Sequence, residues 1–255
     1  MIPKKIHYCW VGGKPLPKSA VKCIKSWKKY CPDYEIIEWN ETNYDFTKNE
    51  YMKQAYEAKK WGFVPDYARL DIIYTCGGIY LDTDVEIVKS FDSLLNLKGF
   101  AGFEDDESVA LGLGFGAEKG NAVIKKLRDS YENLSFINED GSINLTPAPE
   151  VNQPIFDELG LIHNGECQML DDFSVFSKDY FCPKSLYDGV IRKTENTYSI
   201  HQFDASWFSK EGNKEKSDRW KQKQKKAKKT ERHAKIKNII FKFGGEKIYK
   251  KIRKG

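Results

Sequence analysis

Asp82 and Asp84 stand two residues apart at the end of a short apolar run, Ile79-Tyr80-Leu81. In extended backbone, residues two apart project to one side. The two carboxylates therefore converge, and two hard oxygen ligands on one side suit Mg²⁺ or Mn²⁺. Such a cation completes its shell with diphosphate oxygens and neutralises charge on a departing diphosphate. Gly77-Gly78 ahead of the run gives a tight entry into a buried strand that aims the pair. The carboxyl end of a strand is where open α/β sheets hold their ligands. A solvated acidic turn is the plain alternative. Phosphatases of the haloacid-dehalogenase type, which use the first Asp of such a pair as nucleophile, carry it on their first strand before Gly-Thr. Here the pair starts at residue 82 and is followed by Val85-Glu86.

Other residue types invite a role beside this pair. Trp10 stands next to Gly12-Gly13; an indole there can stack on a flat base or cap the core. Asp66 and Arg69 are three apart, so they share a helix face. As an exposed ion pair they are worth little, but a guanidinium can also grip phosphate in a fork. Tyr80 lies inside the motif and reads either as a ligand contact or as a core residue. Gly112, Gly114 and Gly116 read as a bending strand near the site, since no helix opens there from an early βαβ unit as a dinucleotide fingerprint demands. Asn152-Gln153 is a candidate polar lining. Glu104 to Glu107 reads as a solvated acidic loop, and no carboxylate stands out as base or nucleophile.

The elements that must position these residues follow from periodicity and breakers. Lys4–Trp10, Tyr34–Trp39, Ile79–Leu81, Phe100–Glu104, Leu111–Phe115 and Thr197–His201 read as strands, and Val85–Val88 as extended. Helices are expected after a Ser19 cap with Val21, Ile24 and Trp27 on one face, over 50–60, over Phe63–Cys76 with Pro65 in the first turn, and over Gly120–Leu134. The stretch 138–190 gives no clear pattern. Strands alternating with helices predict an α/β layered fold with a mostly parallel sheet.

The chain has 255 residues, 40% of them apolar, enough for one domain with an appendage. No stretch reaches the ~18 apolar residues a membrane span needs. The opening Met1–Lys5, leading into Ile6-His7-Tyr8-Cys9-Trp10, predicts no signal peptide. The six cysteines lack a CxxC spacing, which fits free thiols in a reducing cytoplasm. From Lys210 to Gly255 there are 19 Lys/Arg against 5 Asp/Glu, a net +14, so the first 209 residues carry −9 of the chain's +5. This split predicts a catalytic body over 1–210 and a basic tail over 211–255. In the tail, Ile236, Ile239, Ile240, Phe241, Phe243, Ile248, Tyr249 and Ile252 lie among lysines, a pattern for amphipathic helices on an anionic membrane. A solvated tail and sequence-independent attraction to nucleic acid are the rivals; no motif for specific nucleic-acid recognition accompanies it.

Gly77-Gly78-Ile79-Tyr80-Leu81-Asp82-Thr83-Asp84 resembles the signature of glycosyltransferase family 32 and, more distantly, the catalytic domains of large clostridial glucosylating toxins. Ile2 to Gly13, Ser26-Trp27, Pro32 to Glu35, Glu38-Trp39-Asn40, Phe63 to Arg69, and His201 with Ser206-Trp207 are similar to further family segments, in order, over roughly residues 2–208. Pro65 departs from the Ser or Ala expected there. The resemblance implies a GT-A-type nucleotide-sugar fold and a retaining hexosyl or N-acetylhexosaminyl transfer. The donor implied is a UDP-sugar, with GDP-mannose open; the cofactor is Mn²⁺ or Mg²⁺ on Asp82, Asp84 and His201. It implies base stacking by Trp10, sugar and phosphate contacts by Asp66 and Arg69, a donor contact by Tyr80, and closure over the diphosphate by Ser206 and Trp207. The acceptor expected is a lipid-linked glycan at the cytoplasmic face of the membrane. Transfer to a protein, as by the toxins, and a non-catalytic binder are the alternatives.

Overall fold

The computed structural model describes residues 1–185 and 189–204. Strands β1 (Lys5–Cys9), β2 (Glu35–Trp39), β3 (Gly78–Tyr80), β5 (Gly99–Gly102), β6 (Phe115–Ala117), β7 (Gln168–Leu170) and β8 (Phe173–Phe176) form one sheet in the order β2-β1-β3-β6-β5-β8-β7. β1 pairs in parallel with both β2 and β3, and β5 with β8; β6 and β7 run against their neighbours. Five of the seven strands thus share one direction, the mostly parallel α/β sheet the alternating pattern predicts. A two-stranded antiparallel ribbon joins β4 (Val85–Ile87) to β9 (Ser199–His201).

Successive strand residues feed opposite layers, as a pleat dictates. Ile79 and Phe100 enter a cluster with Trp27, Val85 and Phe91, while their neighbours Tyr80 and Ala101 enter another with Val64, Leu70, Ile124 and Phe156. Helix α1 (Lys18–Tyr30) serves the first layer through fully buried Trp27, whose indole N–H donates to Val85 O at 2.7 Å. Helices α2 (Glu50–Glu57), α3 (Val64–Cys76), α4 (Ala122–Asp129) and α5 (Ala148–Glu158) serve the second. Asn49 and Asn121 cap α2 and α4 by accepting backbone N–H bonds of their first turns. No helix among the described residues is long and apolar enough to cross a membrane.

Several sequence expectations are corrected. Helix α1 begins at Lys18 behind Pro17, with no side-chain cap from Ser19, and it buries Ala20, Cys23 and Trp27 while Val21 faces out. Leu111–Leu113 is a tight helical turn and the strand waits until Phe115, because Gly114 at φ +122° redirects the backbone. Helix α4 stops at Asp129, five residues short of Leu134. The uninterpreted stretch holds α5, β7, β8 and a short α6 (Lys178–Phe181).

Gly77 and Gly78 shape the entry to β3. Both have positive φ, +66° and +111°. A Cβ on Gly78 would lie 2.7 Å from His7 Nε2, and one on Gly77 2.8 Å from the Lys119 backbone N. His7 is locked beneath them: its Nε2–H donates to Gly77 O at 2.9 Å, and its Nδ1 accepts from the Trp39 indole N–H at 3.1 Å. Burial holds its pKa down, from 6.5 to about 4. The unfolded chain therefore binds the proton first as pH falls, and the neutral form's contribution to stability is complete above about pH 6.5. We expect about 3 kcal/mol of stability to be lost between pH 6.5 and 4. Urea unfolding across that range should show the slope, and His7→Gln should flatten it; an equal slope in both proteins contradicts the assignment.

Candidate functional site

The site is built at the carboxyl ends of β1 and β3. These strands are parallel neighbours, so Trp10 and Asp82 leave the sheet at the same edge. Trp10 N–H donates to Trp39 O at 2.9 Å, and the half-buried indole donates through Nε1 to Lys14 O at 2.5 Å. That bond fixes the ring against the Gly12-Gly13 turn. Gly12 has φ +86°, and a Cβ there would meet the Trp61 ring at 2.8 Å. Its N–H donates to Glu41 Oε1 at 2.7 Å, which fastens the turn from below.

Helix α3 lies behind the motif and presents Asp66 and Arg69. They are not the surface pair that sequence alone allowed, being 5% and 6% exposed. Arg69 Nη2 meets Asp66 Oδ1 at 2.6 Å, its Nε donates to Pro65 O at 3.0 Å, and its Nη1 lies 3.6 Å from Asp82 Oδ2. The guanidinium sits over the Tyr80 ring, 5.5 Å from its centroid. One cation thus links the helix to the motif and keeps a second arm toward Asp82. Burial would weaken Arg69's charge, but Asp82 and Asp66 together hold it protonated. Burial pushes Asp66 up to about 7, against the pull of Arg69.

Asp82 and Asp84 have different surroundings. Burial raises Asp82's pKa, Arg69 opposes that rise, and the like charge of Asp84 adds to it. Asp84 is lowered, because against its burial stand a hydrogen bond and charge from His201 and the N–H of Asp204. His201 Nε2 lies 3.2 Å from Asp84 Oδ1, and Asp204 N–H donates to Asp84 Oδ2 at 3.0 Å. The β4–β9 ribbon makes this meeting, since Val85 is directly opposite His201. Burial alone would lower His201, yet Asp84 outweighs it and the pKa is raised. Among the described residues, His201 Nδ1 is buried without a hydrogen-bond partner, as are Tyr131 Oη and Asn152 Oδ1.

The turn at Leu111–Leu113 closes the site. A Cβ on Gly112 would fall 2.4 Å from Asp82 Oδ2 and 3.3 Å from Arg69 Nη1. Only hydrogen at this position leaves Asp82 its place. The two carboxylates of Asp82 and Asp84 are the donors that suit a hard divalent cation, with no side chain on Gly112 to cover Asp82; His201, expected as a third ligand, has its Nε2 engaged by Asp84. Among the described residues no three His, Cys, Asp or Glu side chains form a ready metal cage. A cation would take part of its shell from Asp82 and Asp84 and the rest from diphosphate and water, which is how Mg²⁺ is commonly bound beside phosphates.

Of the residues singled out in sequence, Asp66, Arg69, Tyr80 and Asp82 come together directly, and Asp84 joins His201. Tyr80 is 1% exposed; what it supports is Arg69, Asp82 and Phe115. Gln153 bonds to Asp157 on the outer side of α5, while Asn152 is buried. Ser206, Trp207 and the basic tail lie outside the described residues. Sequence reasoning missed Glu41 and Trp61 at the Gly12 turn, as well as Tyr51 and Tyr131, whose charge environment includes Asp66 and Arg69. Gly112 was visible only as part of a glycine alternation.

Residues 17–101, from α1 to β5, match the model of the glycosyltransferase sugar-binding region containing DXD motif. The DXD of this chain is Asp82-Thr83-Asp84. This region supplies α1, the Asp66–Arg69 helix and the motif strand, about a third of the chain. The chain is 33% identical over 103 residues to inositol phosphoceramide mannosyltransferase 3 of Schizosaccharomyces pombe, covering 37% of this chain and 28% of that protein. It is 27% identical over 176 residues to subversion of eukaryotic traffic protein A of Legionella pneumophila, covering 54% and 26%. The chain therefore spans about a quarter of the length of these curated relatives. Among solved structures it is similar to PaToxG glycosyltransferase, with a TM-score of 0.50 and 25% identity over 62% of this chain and 69% of that one. The fold is a GT-A-like glycosyltransferase fold, as the resemblance implied.

Proposed function

We propose that this chain is a metal-dependent, retaining glycosyltransferase that moves a hexose or N-acetylhexosamine from a UDP-sugar to a lipid-linked glycan. The observation that carries the reading is the meeting of Asp82, Arg69 and Asp66 at the carboxyl edge of the sheet, within a matched glycosyltransferase sugar-binding region. Mn²⁺ or Mg²⁺ bound by Asp82 and Asp84 would neutralise the charge of the departing diphosphate.

The remaining work falls to the chain's own groups. Arg69, held by Asp66 and Pro65 O, keeps a fixed positive charge facing Asp82 and needs no rearrangement when charge develops there. Asp66 offers its carboxylate to sugar hydroxyls from a buried position. His201 and the Asp204 N–H hold Asp84 ionised and oriented. Trp10, pinned through Lys14, offers its ring to the base. Ser206 and Trp207 close over the diphosphate in this reading, and no residue is assigned as base or nucleophile. The relative named for mannosyl transfer to inositol phosphoceramide, a lipid, supports the lipid-linked acceptor and keeps mannose among the donors to test. With the basic tail of 211–255 on an anionic surface, the enzyme would work peripherally at the inner face of the cell membrane.

The test is slow hydrolysis of a panel of UDP- and GDP-sugars in the presence of Mn²⁺, read as free nucleotide. One donor should be turned over, and Asp84→Asn should lower that rate at least ~100-fold, the scale for losing one electrostatic stabiliser. Hydrolysis that survives both chelator and Asp84→Asn would sink the metal assignment.

A further inference from the structure

Helix α1 carries a second charged surface, separate from the sequence-distant tail. Its 13 residues include Lys18, Lys22, Lys25, Lys28 and Lys29 and no acidic residue. At 100° per residue, Lys18, Lys22, Lys25 and Lys29 fall within an arc of about 60°. All four are exposed, and the arc lies opposite the buried Ala20, Cys23 and Trp27. The stripe is therefore held outward by the core itself. Among the described residues, Lys22 alone of these four approaches an acid, with Nζ 3.6 Å from Glu86 Oε2. Such a concentration is out of keeping with its setting, since the first 209 residues carry a net −9.

Its placement ties the stripe to the site. Trp27 donates to Val85 O, and Ser26 Oγ accepts the Ile87 N–H at 2.9 Å, so α1 is fastened to β4. β4 leaves directly from Asp84. Two hydrogen bonds thus connect the lysine-bearing helix to the strand that follows the motif.

We propose that this lysine face of α1 docks the body of the enzyme on an anionic lipid surface, so that the motif is held beside the membrane where a lipid-linked acceptor resides. The inference deepens the proposed function, on whose lipid-linked acceptor it rests. Charge complementarity argues for the occupant, because four ammonium groups in a line along one helix meet a plane of phosphate headgroups together. Nucleic acid fits less well. The exposed residues of α1 include no arginine fork and no aromatic ring for stacking; Trp27 is buried and Tyr30 half-buried.

The full chain is sedimented with phosphatidylcholine vesicles, with and without phosphatidylserine. The variant Lys18→Gln/Lys22→Gln/Lys25→Gln/Lys29→Gln is compared with a charge-matched one, Lys59→Gln/Lys119→Gln/Lys125→Gln/Lys126→Gln, whose lysines are also exposed. The α1 variant should lose at least about tenfold in partitioning to phosphatidylserine vesicles, and the matched variant much less. Donor hydrolysis in solution should be the same in all three proteins, which separates a failure here from a failure of the transferase reading. No loss in the α1 variant, equal loss in both variants, or tighter binding of the wild type to duplex DNA than to the anionic vesicles would each overturn the proposal.

Discussion

Replacing Arg69 with leucine should lower the stability of the fold by about 3–5 kcal/mol, because it leaves a buried carboxylate without its partner. Asp66 and Arg69 are both buried and meet at 2.6 Å. Even with Arg69 present, burial holds Asp66 at about 7. Without the guanidinium, the carboxyl must either stay charged in a dry site or take a proton. The deficit should therefore shrink as pH falls, since a carboxyl whose folded pKa lies above its unfolded value gains stability from protonation. Urea unfolding at pH 7 and pH 5 measures this directly. The double variant Asp66→Asn/Arg69→Leu should recover part of the loss, as removal of both charges costs less than removal of one. A loss below about 1 kcal/mol, the range of exposed pairs, would mean that the pair is solvated and the helix-to-motif link is not what holds it.

Gly112→Ala should leave the fold standing and lower donor turnover by about 100-fold, the scale expected when a reacting group is displaced by about 1 Å. The backbone at Gly112 is not in the positive-φ region, unlike Gly77, Gly78 and Gly114, so alanine is compatible with the local conformation. The new methyl group would stand 2.4 Å from Asp82 Oδ2, and the carboxylate must move. Thermal unfolding beside nucleotide release distinguishes the two effects. Turnover near the wild-type rate in a folded protein would show that the position of Asp82 is not critical.

The order of elements was legible where breakers and periodicity agreed. Gly77-Gly78 and the apolar Ile79-Tyr80-Leu81 placed the motif just past the carboxyl end of a strand without any knowledge of pairing; the extended backbone expected through the motif is instead a turn between β3 and β4, closed by the Val85 N–H donating to Asp82 O at 3.1 Å. The three-residue spacing of Asp66 and Arg69 correctly gave a shared helix face. Their burial was not legible, because local sequence does not report which face another layer will cover. α1 shows the same limit: Val21 and Trp27 are both apolar, and only packing against β4 decides that Trp27 goes inward. The contact between Gly112 and Asp82 joins residues thirty apart in the chain, brought together by an antiparallel pairing of β3 with β6 that no local pattern encodes. His201 was legible as a strand-end residue, while its meeting with Asp84 needed the β4–β9 register. The stretch holding α5, β7 and β8 gave no pattern because its strands are short and Pro154 sits inside its helix.

Calorimetric titration of UDP into the protein, with and without Mn²⁺, tests the central claim most directly. Wild-type protein should bind UDP in the presence of Mn²⁺ and bind it at least about tenfold more weakly without the metal. Asp82→Asn and Asp84→Asn should each abolish that difference while retaining cooperative unfolding. UDP binding that is indifferent to Mn²⁺ and to both substitutions would contradict a diphosphate-binding metal site at Asp82 and Asp84.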